Sequence, residues 1–101
     1  LQDMDLVIWI GLTDVLYFLG EYEEAIATLV KSKSYFKDFA EIEYRLSGLY
    51  FLLKNKQEGA RHLRKALSID FEYHSIFAEL FPVAFKKDEV KDIISEFKKS
   101  S

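Results

Sequence analysis

Apolar positions recur along this chain with the three-to-four-residue spacing of helices. Residues 4–19, MDLVIWIGLTDVLYFL, lack proline and carry apolar side chains on nearly every face, the pattern of a helix packed on more than one side. Gly20 closes it, because glycine takes the left-handed conformation of a helix end without steric cost. A second helix over 21–34 has acids in its first turn (Glu21, Glu23, Glu24) and Lys31 and Lys33 in its last, both complementing the helix dipole. Its apolar stripe is Ala25, Ile26, Leu29 and Val30. Asp38 predicts an N-cap for a third helix over 39–53, with Ile42, Leu46, Leu49, Tyr50 and Leu53 on one side. Asn55 opens a fourth, 56–69, whose inward residues are Ala60, Leu63, Ala66 and Leu67. A final helix over 87–98 sets Val90, Ile93, Ile94 and Phe97 against Lys87, Lys91, Asp92 and Glu96. Ile93, Ile94 and Phe97 are expected to lie on the fourth helix and the 71–81 segment.

The blocks repeat. A shift of thirty-four residues brings Ile8 onto Ile42, Leu12 onto Leu46, Leu19 onto Leu53, Glu24 onto Glu58, Leu29 onto Leu63, Lys31 onto Lys65 and Ser34 onto Ser68. Thr13 falls on Ser47, Tyr17 on Phe51, Ala25 on Gly59 and Ser32 on Ala66. A period of this length marks stacked helix–turn–helix units, none of which can bury its apolar face alone. Small residues at Thr13, Ala25, Ser32, Ser47, Gly59 and Ala66 allow close helix approach, since a bulkier side chain there would overpack at a cost of roughly 1–3 kcal/mol. After Asp70 the repeat decays. Residues 73–80 keep the start of a third unit, and Pro82 then disfavours helical geometry in Phe81. A polar-faced last helix is a means of ending such an array.

These residues resemble the tetratricopeptide repeat (TPR). In a first unit, 6–39, Trp9, Leu12 and Thr13 fill the opening, Leu16 and Tyr17 the aromatic region, Gly20 and Tyr22 the turn, and Ala25, Leu29 and Ser32 the second helix. In a second unit, 40–73, Leu46, Ser47, Tyr50, Gly59, Leu63 and Ala66 match. Glu43 departs from the pattern at the aromatic opening, and Phe71 stands where proline usually closes the unit. The resemblance implies an all-α, right-handed helix–turn–helix superhelix over 1–101, with 74–101 as a closing segment. It also implies a concave groove lined by the first helix of each unit: Ile10, Asp14 and Tyr17, then Glu41, Tyr44, Arg45 and Gly48, with Ser75 and Ala78 beyond. The family's clamp for C-terminal carboxylates needs Lys and Asn where Ile10 and Asp14 stand, so a chaperone tail is disfavoured as the ligand. Tyr44 has a rival reading, as core filling the gap beside Glu43.

Composition narrows the chemistry. Of 101 residues half are hydrophobic and 16% aromatic, too apolar for disorder. A net charge of −3 argues against a dedicated nucleic-acid binder. There is no cysteine, hence no disulfide and no thiolate metal site. His62 and His74 sit on different helices without companion ligands, and the isolated glycines form no phosphate loop. Neither enzymatic activity, cofactor nor metal is expected. Residues 40–73 carry six basic and five acidic side chains, against three and seven in 1–39. The cluster Lys54, Lys56, Arg61, His62, Arg64, Lys65 reads as a solvated convex face, although a phosphate-binding surface fits the charges too. The aromatics Phe71, Tyr73, Phe77, Phe81, Phe85 and Phe97 read as the core of the closing segment, with a docking patch as the alternative.

The short apolar runs cannot cross a bilayer, and the acidic flank of Leu6 to Leu12 (Asp3, Asp5) is unlike a signal peptide. A cytoplasmic location and a protein or peptide partner are expected, with neither nucleic acid nor membrane. An opening at Leu1 with Met4 inside reads as a piece of a longer protein. The leading expectation is a protein–protein interaction module; a structural cap or dimerisation domain is the alternative, and a nucleic-acid-binding repeat comes after it. Residues 4–19, apolar all round, predict a homodimer through that helix.

Overall fold

Helix follows helix from Leu6 to Ser100 in the computed structural model, which describes residues 5–100. The elements are α1 (Leu6–Phe18), α2 (Tyr22–Ser32), α3 (Ala40–Leu52), α4 (Lys56–Ile69), a 3₁₀ turn (Phe71–Tyr73), α5 (His74–Leu80), α6 (Pro82–Phe85) and α7 (Asp88–Ser100). The bounds of α1 and α3 lie 34 residues apart at both ends, and α4 begins 34 residues after α2. α1 packs on α2 and α3 on α4, with α2 lying against α3 between the pairs. Met4, counted in the first helix by its sequence, lies outside the described residues.

The repeat also governs burial. Trp9 and Glu43, Thr13 and Ser47, Leu29 and Leu63, and Ser32 and Ala66 are buried in pairs. Two glycines sit against aromatic rings. Gly59 faces the ring of Phe51, and Gly48 faces the ring of Phe81; an added Cβ at either would overlap ring atoms. The hydroxyl of Ser47 crosses from α3 to donate to the carbonyl of Gly59 at 2.7 Å.

The first hairpin turn is built twice. At Gly20, φ is +80°, the amide of Gly20 donates to the carbonyl of Tyr17, and that of Glu21 to Leu16. Thirty-four residues on, Lys54 takes φ +66°, donating to Phe51 while Asn55 donates to Tyr50. This pair of hydrogen bonds is the Schellman ending, which favours glycine. A side chain in the left-handed region costs about 1–2 kcal/mol, partly offset by the greater unfolded freedom of glycine. Lys54→Gly is therefore expected to stabilise the protein by roughly 0.5–1 kcal/mol, read from the urea midpoint.

Asp38 does not cap α3. It takes φ +60° in the turn before the helix, and Phe39 occupies the N-cap with no side-chain bond. Asn55 does cap α4, its Oδ1 accepting from the amide of Glu58 at 3.3 Å. Phe81 is non-helical and Pro82 starts α6, as the restriction on pre-proline residues requires. α5 and α6 fold the chain back onto α3, and α7 lies on α4 with Val90 and Ile93 buried and Ile94 and Phe97 half-buried. Phe77 and Phe81 are core residues, which gives the aromatic series of the closing segment a packing role. Among the described residues no helix is long and apolar enough to cross a membrane.

Candidate functional site

Asp14, Tyr17, Tyr44, Arg45 and Gly48 meet across one side of α1 and α3, and that side is filled by the chain itself. Arg45, in the middle of α3, is nearly buried. Its Nε and Nη2 donate to the two carboxylate oxygens of Asp14 at 2.9 and 3.1 Å, a bidentate pair joining α3 to α1. Its Nη1 donates to the Tyr73 hydroxyl at 2.9 Å and to the backbone carbonyl of Glu41 at 3.1 Å. Burial alone would lower the pKa of this guanidinium, but Asp14 and Tyr73 outweigh it and raise it. Tyr44 is wholly buried, its ring 5.5 Å from Tyr73 and 5.7 Å from Phe77, its hydroxyl donating to the carbonyl of Asp70 at 2.8 Å. The hydroxyl of Tyr17 donates to the carbonyl of Leu80, and its ring lies 4.8 Å from Phe81. Ile10, Asp14, Tyr17 and Glu41 remain half-buried at the rim. Tyr44 and Gly48 lie underneath.

A second polar cluster joins α2, α3 and α4. The carboxylate of Glu43 is 1% exposed. Lys33 Nζ stands 2.9 Å from Oε2, His62 Nδ1 2.7 Å from Oε1, and Lys65 Nζ 3.6 Å from Oε2. Lys65 also lies 3.7 Å from Asp38. Arg61 Nη2 is 3.1 Å from His62 Nε2. A guanidinium cannot accept a hydrogen bond, so Nε2 is the acceptor there and Nδ1 donates to Glu43. Burial by itself would raise the pKa of Glu43; the hydrogen bond from His62 and the ion pair with Lys33 overcome it and hold the carboxyl at about 2. The fourth-helix basic cluster is thus not one solvated face: His62 is buried and Lys65 turns toward Glu43, while Arg61 pairs with Glu58 at 2.7 Å. Sequence reasoning missed this cluster. Its signal was the position of His62, three residues after Gly59 and four before Ala66, inside the buried stripe of α4.

The third feature is the outer side of α1. Leu6, Trp9, Ile10, Thr13, Leu16 and Tyr17 turn inward. On the opposite arc Val7 is 79% exposed, Phe18 75%, Leu19 69%, Val15 55%, Ile8 52% and Leu12 40%. At those exposures the six side chains present on the order of 600 Å² of apolar surface, beyond what isolated surface residues account for. Gly11 lies within this arc, on the same side of the helix as Val7, Val15 and Phe18, and an added Cβ there would meet nothing within 4 Å. The repeat shows what such a face does elsewhere in the fold. Ile42, Leu46 and Leu49, one period after Ile8, Leu12 and Val15, are wholly buried, and α2 lies against their helix.

No family model, curated protein or solved structure matches this chain.

Proposed function

We propose that this chain is a protein–protein interaction module of tetratricopeptide type: two stacked units, 6–39 and 40–73, closed by 74–101. The reading is supported by the 34-residue spacing of helix bounds, the paired burial of matching positions, and the twice-built turn at Gly20 and Lys54. One observation carries the functional part. The outer face of α1 leaves Ile8, Leu12 and Val15 exposed where their counterparts Ile42, Leu46 and Leu49 on α3 are buried, and large exposed apolar patches mark interaction sites.

We put the contact on this face rather than on the Tyr17–Tyr44–Arg45 side. The latter is closed by Tyr73, Phe77 and Phe81, so a peptide entering there would have to displace a packed segment.

A photo-crosslinking residue at Val15, with a control at Lys91 on the exposed side of α7, tests the reading in cells that make the protein. Protein adducts are expected at Val15 and not at Lys91. Any partner so found, once purified, should bind the wild-type chain and lose binding to Phe18→Glu, a change on an exposed side chain that leaves the core intact. Equal adducts at the two sites, or none at Val15, would overturn it.

A further inference from the structure

We propose that the occupant of the outer face of α1 is a second copy of this chain, packed antiparallel about a two-fold axis that passes at Gly11. The inference rests on the interaction reading above and deepens it by naming the partner.

The first argument is chemical. If α1 were built to receive another unit as α3 receives the first, it would carry polar groups where α3 does. Arg45 of α3 reaches back with its side chain to Asp14 of α1, and the side chain of Glu41, one turn before it, is charged. One period earlier these positions are Gly11 and Val7. The six exposed residues of the arc carry no charge, and Asp14 at its edge is already paired with Arg45 of the same chain. A face without charge has no sign to be matched, so it complements itself as an isologous interface must.

The second argument is Gly11 itself. Of the three glycines inside helices, Gly48 and Gly59 each make room for an aromatic ring, whereas Gly11 makes room for nothing in its own chain. An exposed mid-helix glycine costs roughly 0.5–1 kcal/mol against alanine. Close approach by another helix supplies the reason the fold of one copy lacks. With the axis at Gly11, Val7 of one copy meets Val15 of the other, four residues to either side, and the helices approach at the near end of the usual range of about 8–10 Å.

The third argument is area. Two such faces, wholly covered, bury together at most on the order of 1,200 Å², the lower bound of stable specific interfaces. An interface at that bound is expected to be reversible, so the dimer should dissociate on dilution.

Sedimentation equilibrium of the wild-type chain over a wide concentration range should show a monomer–dimer equilibrium. Val15→Lys should abolish it. Gly11→Phe decides between a specific crossing and mere stickiness, because it enlarges the apolar surface while blocking close approach. Dimerisation should weaken at least tenfold in Gly11→Phe, with helicity by circular dichroism unchanged. Because the chain has no cysteine, Gly11→Cys offers an independent reading: facing Cα atoms near a helix crossing fall within disulfide reach, about 4.4–6.8 Å. Mild oxidation should give a covalent dimer, and Lys91→Cys should not. A chain that stays monomeric at every concentration overturns the proposal, as does a Gly11→Phe variant that associates as well as or better than wild type. If the wild-type chain is monomeric yet crosslinks at Val15 to a different protein, the second copy is wrong and the interaction module stands. Monomer without any adduct sinks both.

Discussion

Tyr44→Ala is expected to remove about 3–5 kcal/mol of stability, the usual cost of truncating a fully buried aromatic. A domain of this size holds only about 5–15 kcal/mol, so the melting temperature should fall by on the order of 20 °C. The size of the effect follows from position. Tyr44 is 0% exposed, and its ring is packed between Tyr73 and Phe77, which belong to the segment closing over α3. Removing it opens a cavity where the two repeat units meet the return of the chain. Tyr44→Phe separates the ring from the hydroxyl: it leaves the packing and deletes the hydroxyl's bonds to the carbonyls of Asp70 at 2.8 Å and Phe71 at 3.4 Å, which should cost about 1 kcal/mol. Urea unfolding of the two variants checks both values. A near-neutral Tyr44→Ala would mean that this side of α3 is open to solvent, and would return it to candidacy as a ligand groove.

That contrast shows where legibility ends. Self-similarity at thirty-four residues was enough to locate α1 to α4 within a few residues, because apolar spacing, small residues and helix ends all repeat in register. Pro82 likewise marked the break at Phe81, since the constraint acts on neighbouring backbone. Contacts between distant elements were not legible in this way. Tyr17 and Tyr44 sit on the expected side of their helices, but what faces them depends on how α5 and α6 fold back over α3, and the decaying third unit carries no period to say so. Asp38 has the chemistry of a cap, yet the turn it ends needs a left-handed residue, and a short acid tolerates that conformation better than most. Glu43 looked like a defect in an aromatic position. Its partners Lys33, His62 and Lys65 lie on other elements, ten to twenty-two residues away in sequence, and only the packing of α2 and α4 on α3 brings them to one carboxylate.

Glu43 is accordingly expected to dominate the acid sensitivity of the fold. Its carboxyl is held at about 2 against an ordinary 4.5, so the folded state binds this proton less readily than the unfolded chain does. Stability from such a group is fully present above the unfolded value near 4.5, declines as pH falls toward about 2, and is exhausted below that. The difference between the two values corresponds to about 3 kcal/mol. Glu43→Gln keeps the shape and removes the charge. At neutral pH it should therefore be less stable than wild type by about 2–3 kcal/mol, and the gap should close as pH is lowered through 4.5 to 2. Glu58 supplies the control. Its carboxyl is also held below its ordinary value, by the hydrogen bond from Arg61, but the pair is exposed on one face of α4, where such pairs contribute little. Glu58→Gln should leave the acid limb where it was. Urea midpoints for wild type and both variants, taken across that pH range, give the comparison. A Glu43→Gln deficit that persists undiminished to pH 2 would place the effect in lost packing rather than in the buried carboxylate and its three cationic or imidazole neighbours.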